Sequence, residues 1–267
     1  MTVVAAIETR DLTRAFDDVL AVDRVSLVAD AGTIYGLLGS NGAGKSTLIK
    51  MLTTLLPPTS GSARVAGYDI VRKAQLVRAR TGYVPQLVSA DSQLTGRENL
   101  LMSARLYGVP RRERTQKIAD ALAFMELGDA ADRLVRGYSG GMIRRLEIAQ
   151  ALLHGPEVLF LDEPTVGLDP VAKQTVWTRL KELRERGRTT ILLTTHDMEE
   201  AELLCDRIAI MHHGRIQTDG TLADLRAASG ATRLEDIFIR AAAGAMDTEQ
   251  GDFRAVARER RTAHRLG

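Results

Sequence analysis

The chain has 267 residues, 45% hydrophobic and 26% charged, with a formal net charge of +2. This is the balance of an ordinary globular chain of one or two domains, long enough to bury a core. The near-neutral charge and an aromatic content of 4% argue against a nucleic-acid partner, which needs a basic field and rings for base stacking. The single cysteine, Cys205, excludes a disulfide framework within the chain and fits a reducing compartment; its apolar neighbours suit a buried structural thiol. No apolar run approaches the ~20 residues of a membrane-spanning helix, and the first residues do not form a charged-then-apolar leader. Any service to a membrane is therefore expected to run through a partner.

In chain order, the first ~30 residues have strand-and-turn character. Ile34 to Leu38 reads as a strand entering a Gly-rich loop, and Lys45 to Leu56 as a helix stopped by Pro57-Pro58. Strand-and-turn character returns around Ala63–Val71. From about 87 to 153 the pattern is helical: Ile118, Leu122 and Met125 fall at helical spacing, as do Leu146, Ala149 and Leu152–Leu153. This block is expected to be a helical subdomain inserted into an α/β core, with Arg111–Lys117 as a solvated helix face. Val158–Leu161 is a short apolar run, as in a strand buried on both faces, and Ile191–Leu193 and Ile208–Ile210 repeat it. The alternation predicts an α/β fold with a mostly parallel sheet. Trp177 is expected to pack a helix. The periodicity weakens after Ile239. The tail from Ala241 carries five Arg between Arg254 and Arg265 and reads as mobile or loosely packed, the alternative being a contact or anionic-lipid surface.

Gly39-Ser40-Asn41-Gly42-Ala43-Gly44-Lys45-Ser46 matches the pattern G-x-x-x-x-G-K-[ST] in full, with a strand before it and a helix after it. Its glycines let successive N–H groups turn toward phosphate oxygens, and the helix start adds a positive dipole end. Lys45 is expected to reach the β- and γ-phosphates, and the Ser46 hydroxyl to ligate Mg²⁺; Thr47 completes the binding set. By itself the loop establishes nucleotide binding without choosing among kinases, GTPases, helicases and transporters. Asp162-Glu163 ends the apolar run Val158–Leu161, where ligands gather in such sheets. Asp162 is expected to hold Mg²⁺ and Glu163 to orient or deprotonate the attacking water. An isolated Asp-Glu pair would as readily cap a helix or turn; its context favours the catalytic reading.

Tyr138-Ser139-Gly140-Gly141-Met142 resembles the signature sequence of ABC ATPases, with Ser139 94 residues after Lys45 and 23 before Asp162. Gln86, in Gly82-Tyr83-Val84-Pro85-Gln86, resembles the family's Q-loop glutamine. Gly167-Leu168-Asp169 resembles its D-loop, His196 its switch histidine, and Phe16 its adenine-stacking aromatic. The resemblance spans about residues 5 to 225. Met51–Leu56, Leu94–Asn99, the Tyr-Ser-Gly-Gly-Met form and Leu234–Phe238 resemble the ATPase subunits of bacterial exporters of the daunorubicin-resistance type. The departures are Tyr138 and Met142 for the usual Leu and Gln, Phe16 for Tyr, and Ser40 for a frequent Pro.

The resemblance implies a P-loop NTPase core of the RecA-like kind, with a mostly parallel sheet, an N-terminal antiparallel β subdomain and the inserted helical subdomain. It implies an ATPase domain over 1–225 with the helical part at about 87–153, followed by a partly mobile extension over 226–267. ATP and Mg²⁺ are the implied cofactors. Gln86 would contact the metal or the water, and His196 the γ-phosphate. Ser139, Gly140, Gly141 and Asp169 would act on the nucleotide of a second copy, in a head-to-tail homodimer. A separate transmembrane permease is the implied partner, which would hold the chain peripherally at the cytoplasmic face of the membrane and use it to power export of a drug-like, antibiotic or lipid substrate. Two other readings compete. A soluble ABC-type ATPase of DNA repair or translation would carry a coiled-coil insertion or a second ATPase copy, and neither is visible. A small-molecule kinase with a phosphate loop would not need Ser139-Gly140-Gly141.

Overall fold

The chain's short apolar runs become the strands of a central sheet. A computed structural model describes residues 5–187 and 189–243. β1 (Ala5–Phe16) and β2 (Val19–Asp30) form a long hairpin, joined by β4 (Ser60–Val65) and β5 (Tyr68–Asp69) into an antiparallel sheet of order β2-β1-β4-β5. In β2 the period of two places Val25, Leu27 and Ala29 inward and leaves Ser26 and Val28 exposed.

The second sheet has the order β10-β9-β3-β8-β7-β6. β3 (Ile34–Leu38), β6 (Thr81–Val84), β7 (Val158–Asp162), β8 (Thr190–Thr195) and β9 (Arg207–His212) run parallel, and β10 (Arg215–Gly220) closes the edge antiparallel. β3, β7 and β8 are buried along their whole length, the mark of a parallel sheet covered on both faces. Successive residues serve opposite layers. Ile34, Leu159, Leu161, Ile191 and Leu193 pack with the helical block, and Tyr35, Leu37, Phe160 and Leu192 with the antiparallel sheet.

Two local departures have physical causes. α1 (Lys45–Leu52) ends before the prolines. Thr54 takes a left-handed φ of 64°, its N–H donates to Met51 O and that of Leu55 to Lys50 O, so the carbonyls of the last turn are closed locally. β6, not anticipated as a strand, lies where Gly82 brings the sheet against a helix, since a Cβ there would collide with the Ala151 carbonyl.

α2 (Ala74–Arg80) leads into β6. The helical block comprises α3 (Gly96–Leu106), α4 (Arg111–Phe124) and α5 (Gly140–Leu152). Thr95 and Glu98 start α3 with a capping box. α6 (Pro170–Glu185) and α7 (Met198–Leu204) follow β7 and β8, and Trp177 is buried against the helical block's core. Cys205 packs over Gly36, and burial pushes its thiol well above the ordinary range. Among the described residues no helix is long and apolar enough to cross a membrane.

α8 (Leu222–Ser229) ends at Gly230, and a further helix occupies 234–243. Leu225, Leu234 and Ile237 share one core cluster with Leu38, Ile208 and Ile210 of the central sheet. Residues beyond 225 thus contribute to the packing of the central sheet. Leu234→Ala is expected to cost about 2–5 kcal/mol by opening a cavity, read as a lowered urea midpoint at unchanged m. The basic tail segment Arg254–Arg265 lies outside the described residues.

Candidate active site

The loop after β3 is held by backbone that only glycine permits. Gly42 and Gly44 have φ of 82° and 104°. A Cβ on Gly39 would meet the Met211 carbonyl, and one on Gly44 the Ala21 carbonyl, so the loop is wedged between the end of β9 and the hairpin strand β2. The Gly39 N–H donates to Thr195 O at 3.2 Å, and the Gly214 N–H to Ala43 O at 2.9 Å. Gly44 caps α1 without a side chain, and the first turn holds no acid. That leaves the positive end of the helix available to an anion.

Lys45 is buried, and its ammonium donates to the Gly39 and Ser40 carbonyls at 2.6 and 3.2 Å. It also lies 3.1 Å from Glu163 Oε1, close enough for an ion pair though not aligned as a hydrogen bond. The other carboxylate oxygen of Glu163 lies 2.8 Å from His196 Nδ1. The Glu163 side chain is 6% exposed and that of His196 50%, so the chain Lys45–Glu163–His196 runs from the buried floor to the surface. Glu163 has a left-handed φ of 52°, and its N–H is held by the Thr194 carbonyl and hydroxyl at 3.1 and 3.0 Å. Strain of this kind persists where neighbours over-determine it and clusters at functional sites. Beside it, Asp162 Oδ1 accepts from the Ser46 hydroxyl at 3.0 Å and from the Thr194 hydroxyl at 2.6 Å. A hydroxyl and a carboxylate converging here form a hard oxygen set, suited to a small divalent cation.

The remaining candidates lie apart from this cluster. Gln86 follows β6 and is exposed; its carbonyl accepts from Arg144 at 3.2 Å. Ser139 caps α5, accepting from the Met142 N–H at 3.3 Å, and Ser139 and Gly140 are exposed. Their surroundings are not the phosphate loop. A Cβ on Gly140 would lie against Leu168, and one on Gly141 against Ala172 Cβ at 2.6 Å. Asp169 caps α6, accepting from the Ala172 N–H at 2.9 Å. Phe16 stands 41% exposed at the end of β1, with the Arg14 guanidinium 4.5 Å from its ring centre. Tyr138 has a structural role: its hydroxyl donates to Ala130 O at 2.6 Å and covers Gly96.

Three participants are not evident in the sequence. Thr194 holds Asp162 and Glu163 together, although the Thr-Thr strand end signals it faintly. Arg144 donates to the Pro85 carbonyl and pairs with buried Glu147 at 3.1 Å, and Glu147 accepts from the Ser89 hydroxyl at 2.9 Å. Glu200 is buried under Thr165 and Trp177.

A parallel sheet ending in a phosphate loop, with a hydroxyl–aspartate pair and a lysine–glutamate–histidine chain rising from a buried floor beside it, defines a P-loop nucleoside triphosphatase. Residues 22–166 match the family model described as ABC transporter. The daunorubicin/doxorubicin resistance ATP-binding protein DrrA of Streptomyces peucetius is 46% identical over 242 residues, which cover 89% of this chain and 73% of that protein. The Nod factor export ATP-binding protein I of Sinorhizobium fredii (strain NBRC 101917 / NGR234) is 45% identical over 215 residues, covering 80% of this chain and 62% of that protein. Among solved structures, an ATP-binding subunit of an ABC transporter superposes with a TM-score of 0.80 at 31% identity, covering 88% of this chain and 99% of that one. The cbiO1 chain of Clostridium perfringens, part of the complex cbiONQ, gives 0.77 at 28% identity, covering 84% and 92%. The chain belongs to the ABC transporter family, as an ATP-binding subunit that hydrolyses ATP.

Proposed function

We propose that this chain is the motor of an exporter, in which two copies bind and hydrolyse Mg²⁺-ATP at the cytoplasmic face of the membrane against a separate permease. The observation that carries the hydrolytic reading is the buried contact of Glu163 with Lys45 on one side and His196 on the other. In that reading the N–H groups of Gly39–Ser46 and Thr47 cradle phosphate, and Lys45 neutralises it. Ser46 and Asp162 would hold Mg²⁺, which when bound offsets phosphate charge, and Gln86 would join the metal or the water from the loop after β6. Glu163 accepts the proton of the attacking water, and His196 holds Glu163 and the γ-phosphate in line. Phe16 offers its exposed face to adenine.

The exposure of Ser139 and Gly140 at the start of α5, away from this chain's own loop, supports a role for Ser139, Gly140, Gly141 and Asp169 in completing the site of a second copy. A helix N-terminus with a hydroxyl cap suits a γ-phosphate. The transport reading rests on relatives named for daunorubicin/doxorubicin resistance and for Nod factor export, and the substrate class it favours is amphipathic: a drug, an antibiotic or a lipid.

Purification of the tagged chain from its native membranes in mild detergent tests this assignment. A polytopic membrane protein is expected to co-purify in stoichiometric amount, and inverted vesicles containing both are expected to accumulate daunorubicin only with ATP. Recovery of the chain in the soluble fraction while that permease is co-expressed would count against the transport role.

A further inference from the structure

Glu200 lies on α7, four residues after His196, and is 1% exposed. One of its carboxylate oxygens accepts from the Thr165 hydroxyl at 2.8 Å and from the Trp177 indole N–H at 2.9 Å. Its backbone is equally fixed, since the Glu200 N–H donates to Asp197 Oδ1 at 3.2 Å. A buried carboxylate without such donors would be costly; here desolvation raises its pKa and the Thr165 and Trp177 donors oppose the rise.

The two donors belong to segments that matter for hydrolysis. Thr165 sits in the turn that begins at Glu163 and is closed by the Val166 N–H on the Glu163 carbonyl at 3.3 Å. Glu163 enters that turn in the left-handed region, so it needs anchors on both sides. Thr194 anchors it in front, and Thr165 on Glu200 anchors it behind. His196 Nδ1 lies 2.8 Å from Glu163 Oε2, so a hold on Glu163 also sets the partner of the histidine. Trp177 belongs to α6, the helix that Asp169 caps.

We propose that Glu200 is a positioning residue for ATP hydrolysis: its buried carboxylate holds the turn behind Glu163 and ties it to α6 through Trp177. This rests on the reading of Glu163 as the group that takes the proton of the attacking water. Glu200 acts through Thr165 and Trp177, and reaches His196 only by way of Glu163.

Trp177 is the only tryptophan of the chain, so its emission reports on the Glu200 contact directly. The test uses the full chain with Glu200→Ala, Glu200→Gln, Thr165→Val and Glu163→Gln. Glu200→Ala and Thr165→Val are expected to lower kcat by about 10- to 100-fold with the KM for ATP within about threefold, because a small misplacement at a reacting centre costs that much. Glu200→Ala is also expected to shift Trp177 emission and lose its response to ATP. Glu200→Gln restores most of kcat, since an amide oxygen still accepts from Thr165 and Trp177. Thr165→Val keeps the shape and removes one donor, so it decides the matter even if Glu200→Ala does not fold. A Thr165→Val chain that turns over within twofold of the parent while Glu163→Gln is inactive overturns the positioning role alone. Parental turnover in Glu163→Gln overturns the underlying reading of Glu163 instead.

Discussion

Glu163→Gln is expected to lower ATP turnover by about 10²- to 10⁴-fold, the contribution of a positioned general base, while ATP binding is retained. The substitution is isosteric and removes only the negative charge. The amide can still meet His196 Nδ1, 2.8 Å from the present carboxylate, so the geometry of the floor survives. Lys45, now 3.1 Å from Glu163 Oε1, loses a competing partner and faces phosphate with its full charge. Binding is therefore expected to be equal or tighter, and the nucleotide-bound dimer to persist. Phosphate release measures the first effect, and light scattering with and without ATP the second. Turnover within twofold of the parent would remove Glu163 from the chemistry.

Gly44→Ala is the second large effect. Gly44 has φ of 104°, a conformation that L side chains rarely adopt, and a Cβ there would drive into the Ala21 carbonyl and the Met211 methyl. The first obstacle is backbone of β2, which the hairpin and the core fix in place, so it cannot yield as a side-chain tip would. Strain and overpacking together are expected to cost about 2–5 kcal/mol. Because Gly44 immediately precedes Lys45 and caps α1, the same displacement moves the ammonium and the first helical N–H groups. ATP affinity is expected to fall by more than about 100-fold, roughly the loss of two charge-assisted hydrogen bonds. Fluorescent-nucleotide titration and thermal melting separate the two; unchanged affinity would show that the loop tolerates a side chain at its tightest contact.

What could be read from the sequence was local. Ile34–Leu38 is a run of apolar residues entering a glycine loop, and both strand and loop lie within a few residues of one another. Asp162-Glu163 was legible for the same reason, as a charged pair ending a buried run. The end of α1 was not, because the left-handed turn at Thr54 has no glycine to announce it and the two prolines offered a plausible stop further on. β6 was obscured because its placement depends on Gly82 meeting the Ala151 carbonyl, a contact remote in sequence. Thr194, Arg144 and Glu200 were missed on the same ground: each acts through partners thirty or more residues away, or, for Glu200, through a tryptophan on another helix. Asp169 illustrates the opposite hazard. Its place in Gly167-Leu168-Asp169 suggested a part at the nucleotide of a second copy, and within one chain its side chain forms a helix cap.

Arg144 has a consequence of its own. It stands one turn into α5, whose first residue follows the exposed Ser139, and its guanidinium holds the carbonyls of Pro85 and Gln86. The helix that Ser139 caps is thereby fastened to the backbone that carries Gln86. The fastening is buried and ion-paired with Glu147, so removing either charge alone strands the other away from water, and a substitution at 144 or 147 is felt at both ends of the link.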